Sequence, residues 1–181
     1  ILDRNCHKSI HHGVVLSGAH PVYLNASVNK KFQIYGPVAK KILFQAIEEH
    51  SDAQALILTS CTYDGLRYDL PPIIQAAHSK GIKVIIDEAW YGFARFHPDF
   101  RPTALEAGAD YVTQSTHKVL SAFSQSSMIH VNDPDFNEHL FRENFNMHTS
   151  TSPQYSMIAS LDVARKQIVL EGYKLLSRTL E

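Results

Sequence analysis

The sequence predicts an α/β fold: a mostly parallel sheet with helices over both faces, a three-layer sandwich in one domain spanning residues 1–181. Two observations carry that reading. ALILTS (55–60), a helix opened by Pro71-Pro72 and ended at Gly81, and VIIDEA (84–89) follow one another with short links. A strand, helix, strand succession implies parallel pairing through a right-handed crossover. Both strands are also apolar without alternation. Strands of that kind are buried on two faces, so each needs helices on both sides.

The remaining elements follow in chain order. Asp3 is placed to cap a short helix through RNCHKSIHH, and Gly13 supplies a left-handed residue to end it. VVLS (14–17) and PVYL (21–24) read as short strands around a Gly-Ala-His turn. Between Pro37 and His50, Val38, Ala39, Ile42, Leu43, Ala46 and Ile47 fall on one helical face, with Pro37 suited to the first turn. Beyond the crossover unit, the pattern from Gly108 leads into a strand at about 111–114, and MIHV (128–131) forms another. The intervening QSTHKVLSAFSQSS is polar and rich in hydroxyls, a composition suited to a site loop. Ser152-Pro153 then opens a long helix whose stripe runs through Met157, Leu161, Ala164, Ile168 and Leu175. Glu171 interrupts that stripe and Gly172 is a candidate kink. No repeat, low-complexity tract or linker divides the chain.

Composition narrows the function. With 17 basic and 18 acidic residues the formal charge is -1, too even to build the positive field that nucleic acid or an anionic membrane surface demands. Small-molecule chemistry is the default. Two cysteines, Cys6 and Cys61, are too few for a disulfide framework, and no apolar run reaches membrane-spanning length, which points to the cytoplasm. The chain starts at Ile1 without an initiator Met and is expected to be a piece of a longer protein.

The stretch KVIIDEAW (83–90) delivers two carboxylates, Asp87 and Glu88, to the end of a buried strand. A nucleotide-hydrolysing motor would use such an acid to hold magnesium, but it also needs a glycine-rich phosphate loop ending in Gly-Lys-Ser/Thr, and the sequence has none. Taken alone, Asp87 suits strand-end solvation or helix capping as well as any chemistry. Gln114-Ser-Thr-His-Lys118 changes that balance. Ligands of open α/β sheets bind beyond the carboxyl ends of the strands, so Asp87 and Lys118 are expected to face one crevice. Pyridoxal phosphate chemistry asks for that pair: a lysine to form a Schiff base and a carboxylate to keep a pyridine nitrogen protonated. Ser115, Thr116 and His117 offer phosphate donors. His7 and His11, spaced i, i+4, could share a metal, yet no glutamate follows His7 and no third ligand is evident, so no metal is assigned. Cys61, with no basic neighbour before Arg67, reads as a structural cysteine.

Five strings carry a family resemblance: DRNCHKS, LTSCTYDG, VIIDEAW, QSTHKVLSAFSQSSMIHV and HTSTSP. In this order and spacing they resemble the large cofactor-binding domain of the bacterial ornithine/lysine/arginine decarboxylases, and STHKVLSAFSQ is the most specific of them. Together they cover almost the whole chain. The resemblance implies an aspartate aminotransferase-like large domain, pyridoxal phosphate as cofactor, and decarboxylation of a basic amino acid to its amine. It makes Lys118 the Schiff-base lysine and Asp87 the pyridinium partner. It implies that Ser115 and His117 hold phosphate oxygens, that His7 stacks on the cofactor ring, and that Ala89 packs beneath the other face. Trp90 would lie beside the cofactor, near its phenolic oxygen. Thr149 would reach the phosphate of a neighbouring subunit, which implies a homodimer or higher oligomer with sites at the interface. Cys61 departs from the Asn or Pro that the family often carries near this position.

Asp87 and Lys118 suit transamination equally, so decarboxylation rests on the resemblance and not on those two residues. Another pyridoxal-dependent lyase or aminotransferase of the same fold stays open as an alternative, as does a non-catalytic dimerisation fragment. Lysine, ornithine and arginine are not separated as substrates. The upstream phosphate-binding loop and the C-terminal domain of the family lie outside these 181 residues, and the piece alone is expected to bind cofactor weakly and to be inactive.

Overall fold

The computed structural model describes residues 1–181. Its strands are β1 (Leu2–Asp3), β2 (Tyr23–Leu24), β3 (Val28–Asn29), β4 (Ile34–Tyr35), β5 (Ala55–Thr59), β6 (Lys83–Asp87), β7 (Tyr111–Gln114) and β8 (Met128–Val131). β3 and β4 pair apart as a small antiparallel hairpin, and the other six form one sheet in the order β2-β1-β5-β6-β7-β8. Every pairing in that sheet is parallel except β7 with β8. The mostly parallel α/β fold predicted from the crossover unit is the fold observed. The helices are α1 (Lys8–Ser17), α2 (Lys40–Glu49), α3 (Leu70–Ser79), α4 (Thr116–Val119), α5 (Glu138–His148) and α6 (Tyr155–Leu180). None is long and apolar enough to cross a membrane.

The two faces of the sheet are packed unequally. Leu56, Leu58, Val84, Ile86 and Val112 are fully buried, and Leu43 and Ile47 of α2 join Ile73, Ile74 and Ala77 of α3 in the same core. Burying each large side chain contributes roughly 1.5–3 kcal/mol, which makes this face the main source of stability. Alternation turns Ile57 and Ile85 to the opposite face, where they are only half-buried. α1 contributes no buried residue to cover them.

The crossover helix forms as its sequence dictates. Pro71 and Pro72 occupy its first turn, where a missing N–H costs nothing, and Gly81 takes a φ of 74° just past its end. The N-terminal expectations fail. α1 begins at Lys8, not after Asp3, and runs through Gly13 and VVLS to Ser17, so residues 14–17 are helical. Asp3 cannot cap it because its carboxylate is already engaged inside the fold, accepting from the Asn5 amide at 2.8 Å and the Tyr68 hydroxyl at 2.7 Å. His7 caps α1 instead, its imidazole accepting from the Ser9 amide, and Gly18 ends it with a φ of 67°. Val15 and Leu16, whose β-like pattern suggested a strand, lie 80% and 74% exposed on the helix. Of PVYL only Tyr23 and Leu24 enter the sheet. α2 starts at Lys40, after Pro37 and Val38 rather than at them. The β3–β4 hairpin and α5, capped by the Asn137 side chain, are elements the sequence pattern does not announce.

α6 is continuous through Glu171 and Gly172. Gly172 therefore marks a close approach and not a break. A Cβ there would stand 2.9 Å from Ile168 Cδ1 and 3.1 Å from Phe96 Cβ, where buried Ala164, Ile168 and Gly172 seat the helix on the 3-10 turn Ala94–Phe96. Replacing Gly172 by Ala adds roughly 1 kcal/mol of helix propensity but overpacks the seat by about 1–3 kcal/mol. Urea unfolding of Gly172→Ala is expected to show a net loss of about 1 kcal/mol, against the sign that propensity alone gives.

Candidate active site

The register of the sheet lays the floor of a cleft. Thr59 pairs with Asp87, Asp87 with Thr113, and Thr113 with Ile129. All four line a cleft of about 440 Å³ at the carboxyl ends of the parallel strands. Glu88, one residue on, is turned to the opposite face. It is fully buried and accepts from the Ala104 amide at 2.9 Å and from Gln114 Nε2 at 2.7 Å. The two adjacent carboxylates thus serve different faces of the sheet.

In the cleft, Asp87 Oδ1 accepts from the Ala89 amide at 3.0 Å, while Oδ2 makes no hydrogen bond or ion pair. Lys118 arrives on α4, the single turn that follows β7, where its amide donates to the Ser115 carbonyl at 2.9 Å. Its Nζ also has no hydrogen bond or ion pair, and it lies 5.0 Å from the centre of the Trp90 ring. Trp90 in turn meets the edge of Tyr63, with ring centres 5.6 Å apart. An uncommitted amine and an uncommitted carboxylate oxygen therefore share one space. His7, held by a 2.8 Å contact between its Nδ1 and Ser9 Oγ, lines the same cleft, as do Ser115, Ala89 and Trp90.

Three residues singled out from the sequence are not among its lining, and one of them, Thr116, is buried with a hydroxyl that makes no hydrogen bond. The His117 amide donates to the Ser126 carbonyl at 3.2 Å, and His117 sits beside the cleft rather than in it. Thr149, exposed just past α5, donates its hydroxyl to the Phe145 carbonyl at 3.1 Å. Conversely, Asn5, Thr59, Thr62, Tyr63 and Thr113 line the cleft without having been singled out. Thr59 and Thr113 carry a usable signal, because strands flanking β6 in register place side chains level with Asp87. Asn5 and Tyr63 carry none, since loop packing brings them in.

Both cysteines also border the cleft. Cys6 Sγ lies 3.5 Å from His11 Nε2, whose Nδ1 is 3.1 Å from the Tyr23 hydroxyl, so His11 is committed away from His7. Burial, and then the charge of Asp3, push the Cys6 thiol up to about 11, and burial raises Cys61 as well. Neither is a thiolate at neutral pH. The volume falls within the roughly 300–1,000 Å³ of small-molecule sites. The donor set of a free amine, a free carboxylate oxygen, the Ser115 hydroxyl and a small Ala89 fits a flat phosphorylated pyridine aldehyde.

Over residues 1–181 the chain matches the family model for the Orn/Lys/Arg decarboxylase major domain. The chain belongs to this family. An arginine decarboxylase of Bacillus cereus is 36% identical over 181 residues, which is 100% of this chain and 39% of that protein. Lysine decarboxylase LdcA of Pseudomonas aeruginosa is 39% identical over 194 residues, covering 95% of this chain and 25% of that one. The chain thus spans well under half the length of these curated relatives. Among solved structures, the serine palmitoyltransferase of Sphingomonas wittichii is similar with a TM-score of 0.68 at 20% identity, over 92% of this chain and 40% of that one. Mouse CSAD gives 0.59 at 21% identity, over 74% and 29%. At such identities the likeness shows the shared α/β fold.

For this Orn/Lys/Arg decarboxylase domain, the raised thiol pKa makes a kinetic statement. Iodoacetamide is expected to label Cys6 slowly at neutral pH, with the rate climbing as the pH approaches about 11. Mass analysis of the Cys6 peptide across pH measures this, and rapid labelling at neutral pH would contradict the burial argument.

Proposed function

We propose that the protein is a pyridoxal phosphate-dependent decarboxylase acting on a basic amino acid, arginine, lysine or ornithine, to give the corresponding amine. One observation carries the proposal: the uncommitted Lys118 amine and the uncommitted Asp87 oxygen line a single cleft in a chain of the decarboxylase family. Relatives named as arginine and lysine decarboxylases support those two substrates ahead of ornithine. When bound, the cofactor supplies an electron sink for the pair of electrons left by the departing carboxylate.

The residues of the chain divide the remaining work. Lys118 is the covalent attachment point. Asp87, through Oδ2, keeps a proton on the pyridine nitrogen. Ser115 donates to the phosphate, and His117, in the same turn as Lys118, is its second donor. His7 would cover one face of the ring, Ala89 would leave room beneath the other, and Trp90 walls the side on which the Lys118 amine rests. Decarboxylation would follow where the chain holds the substrate with its carboxylate, rather than its α-hydrogen, toward that electron sink. Poor solvation of the substrate carboxylate favours its loss. Thr149 serves the phosphate of a neighbouring subunit in a cytoplasmic homodimer or larger oligomer, a role that accounts for its place outside its own cleft.

Borohydride reduction of the intact protein followed by peptide mapping is expected to leave a pyridoxyl group on Lys118, and a label on another lysine would overturn the assignment. In the same protein Asp87→Asn is expected to retain part of its cofactor binding while kcat falls about 10–100-fold, the loss of one charge-assisted hydrogen bond. Unchanged turnover would remove Asp87 from the mechanism. The subunit arrangement has its own test. Mixing Lys118→Ala with Thr149→Ala subunits is expected to restore activity in hybrid dimers, which contain one site with both residues intact; verified hybrids without activity would place Thr149 in its own subunit.

A further inference from the structure

Behind the cleft floor, on the opposite face of the same strand ends, lies a row of polar groups with no part in the chemistry above. Glu88, fully buried, makes no salt bridge. Its Oε1 accepts from the Ala104 amide at 2.9 Å, its Oε2 accepts from Gln114 Nε2 at 2.7 Å, and Gln114 Oε1 lies 3.0 Å from His130 Nε2. Burial raises the Glu88 carboxyl, and its two hydrogen bonds and the Arg67 charge oppose that rise.

The chemistry of these groups fixes a direction. Both Glu88 oxygens accept, one from the Ala104 amide and one from the Gln114 NH₂, which leaves the Gln114 carbonyl to face His130. His130 must then donate from Nε2. Burial lowers its pKa and so keeps the ring neutral, with a single proton to place. Donation runs one way, from His130 to Gln114 to Glu88.

Each member also adjoins the cleft in sequence. Glu88 follows Asp87 and His130 follows Ile129, both of which line the cleft, and Gln114 itself borders it between Thr113 and Ser115. The Glu88 amide further donates to the Thr113 carbonyl at 2.8 Å. The row therefore ties the ends of β6, β7 and β8 to one another and to the loop at Ala104. We infer that Glu88, Gln114 and His130 are positioning residues, a directional hydrogen-bond chain that fixes these strand ends and so sets where Asp87 and Lys118 stand. The inference rests on the cleft being the cofactor site proposed above.

Glu88→Gln reads the direction of the chain without removing it. The Ala104 amide can only donate, so the substituted side chain turns its carbonyl there and its NH₂ toward Gln114. Gln114 then flips, and His130 Nε2 becomes an acceptor with the proton moved to Nδ1. Ring nitrogen chemical shifts of isotope-labelled histidine in the full, cofactor-free chain, assigned with His130→Gln and recorded above neutral pH, measure this. Nε2–H is expected in the wild type and Nδ1–H in Glu88→Gln. Nδ1–H in the wild type, or one tautomer in both, overturns the chain. The positioning role is read from pyridoxal phosphate affinity, expected to stay within about threefold of wild type in Glu88→Gln and to weaken about tenfold in Gln114→Leu. His130→Leu, at a residue outside the cleft lining, makes the same break, separates positioning from a direct contact of Gln114, and serves where Gln114→Leu fails to fold. With affinity measured on the intact protein, unchanged affinity on breaking the chain overturns the role, whereas an intact wild type that binds no pyridoxal phosphate overturns the proposed function and the role together, leaving the tautomer result to stand by itself.

Discussion

Everything at the cleft depends on the parity of β6. Val84, Ile86 and Glu88 face the core while Ile85 and Asp87 face the other way, and β5 and β7 hold that strand in register at Thr59, Asp87 and Thr113. A slip of one residue would turn Asp87 into the apolar face of Leu58 and Val112 and present Glu88 to the cleft. What prevents it is hydrophobic: Val84 and Ile86 would both lose their burial, worth roughly 1.5–3 kcal/mol each. The core therefore selects which of two neighbouring carboxylates is offered to a ligand. Their chemistry follows, since Glu88 spends its oxygens on Ala104 and Gln114 while Asp87 keeps one free.

A second buried acid organises the N-terminal wall of the cleft. Asp3 is 1% exposed, and the Tyr68 hydroxyl that donates to it at 2.7 Å also accepts from the Val38 amide at 2.8 Å. Burial drives the Tyr68 phenol far above its usual range, so it remains a donor. This one hydroxyl joins β1, the entry to α2 and the entry to α3. With the Asn5 amide also on Asp3, the turn that follows brings Asn5, Cys6 and His7 to the cleft edge. The same bond explains why α1 begins late, because an acid committed to the fold interior is not available as a helix cap.

The helical and strand calculus of the sequence worked where local and tertiary preferences agreed. The crossover unit from Ala55 to Asp87 has continuous apolar strands, prolines in the first turn of its helix and a glycine past its end, and each signal survives in the fold. It misled at residues 14–17, where Val14, Val15 and Leu16 look like a strand but extend α1, because Gly18 and not Gly13 takes the left-handed conformation. Gly172 misled for the opposite reason. Its role is set by Phe96, distant in sequence, together with the Ile168 side chain one turn back, and the helical pattern alone does not record the approach of Phe96.

By itself the sequence determined the α/β class, the parallel sheet and the expectation that Asp87 and Lys118 face one crevice, because these follow from apolar periodicity and from strand ends that open on one edge. It could not separate Asp87 from Glu88 in orientation, since adjacent residues differ only by a parity that pairing with β5 and β7 fixes. Nor could it show the row of Glu88, Gln114 and His130, whose members stand in or just past three strands and meet only when those strands lie side by side. Tertiary structure decided both. Hydrogen bonds between side chains far apart in the chain are made by packing, and packing is set by the burial of the whole core rather than by any local stretch.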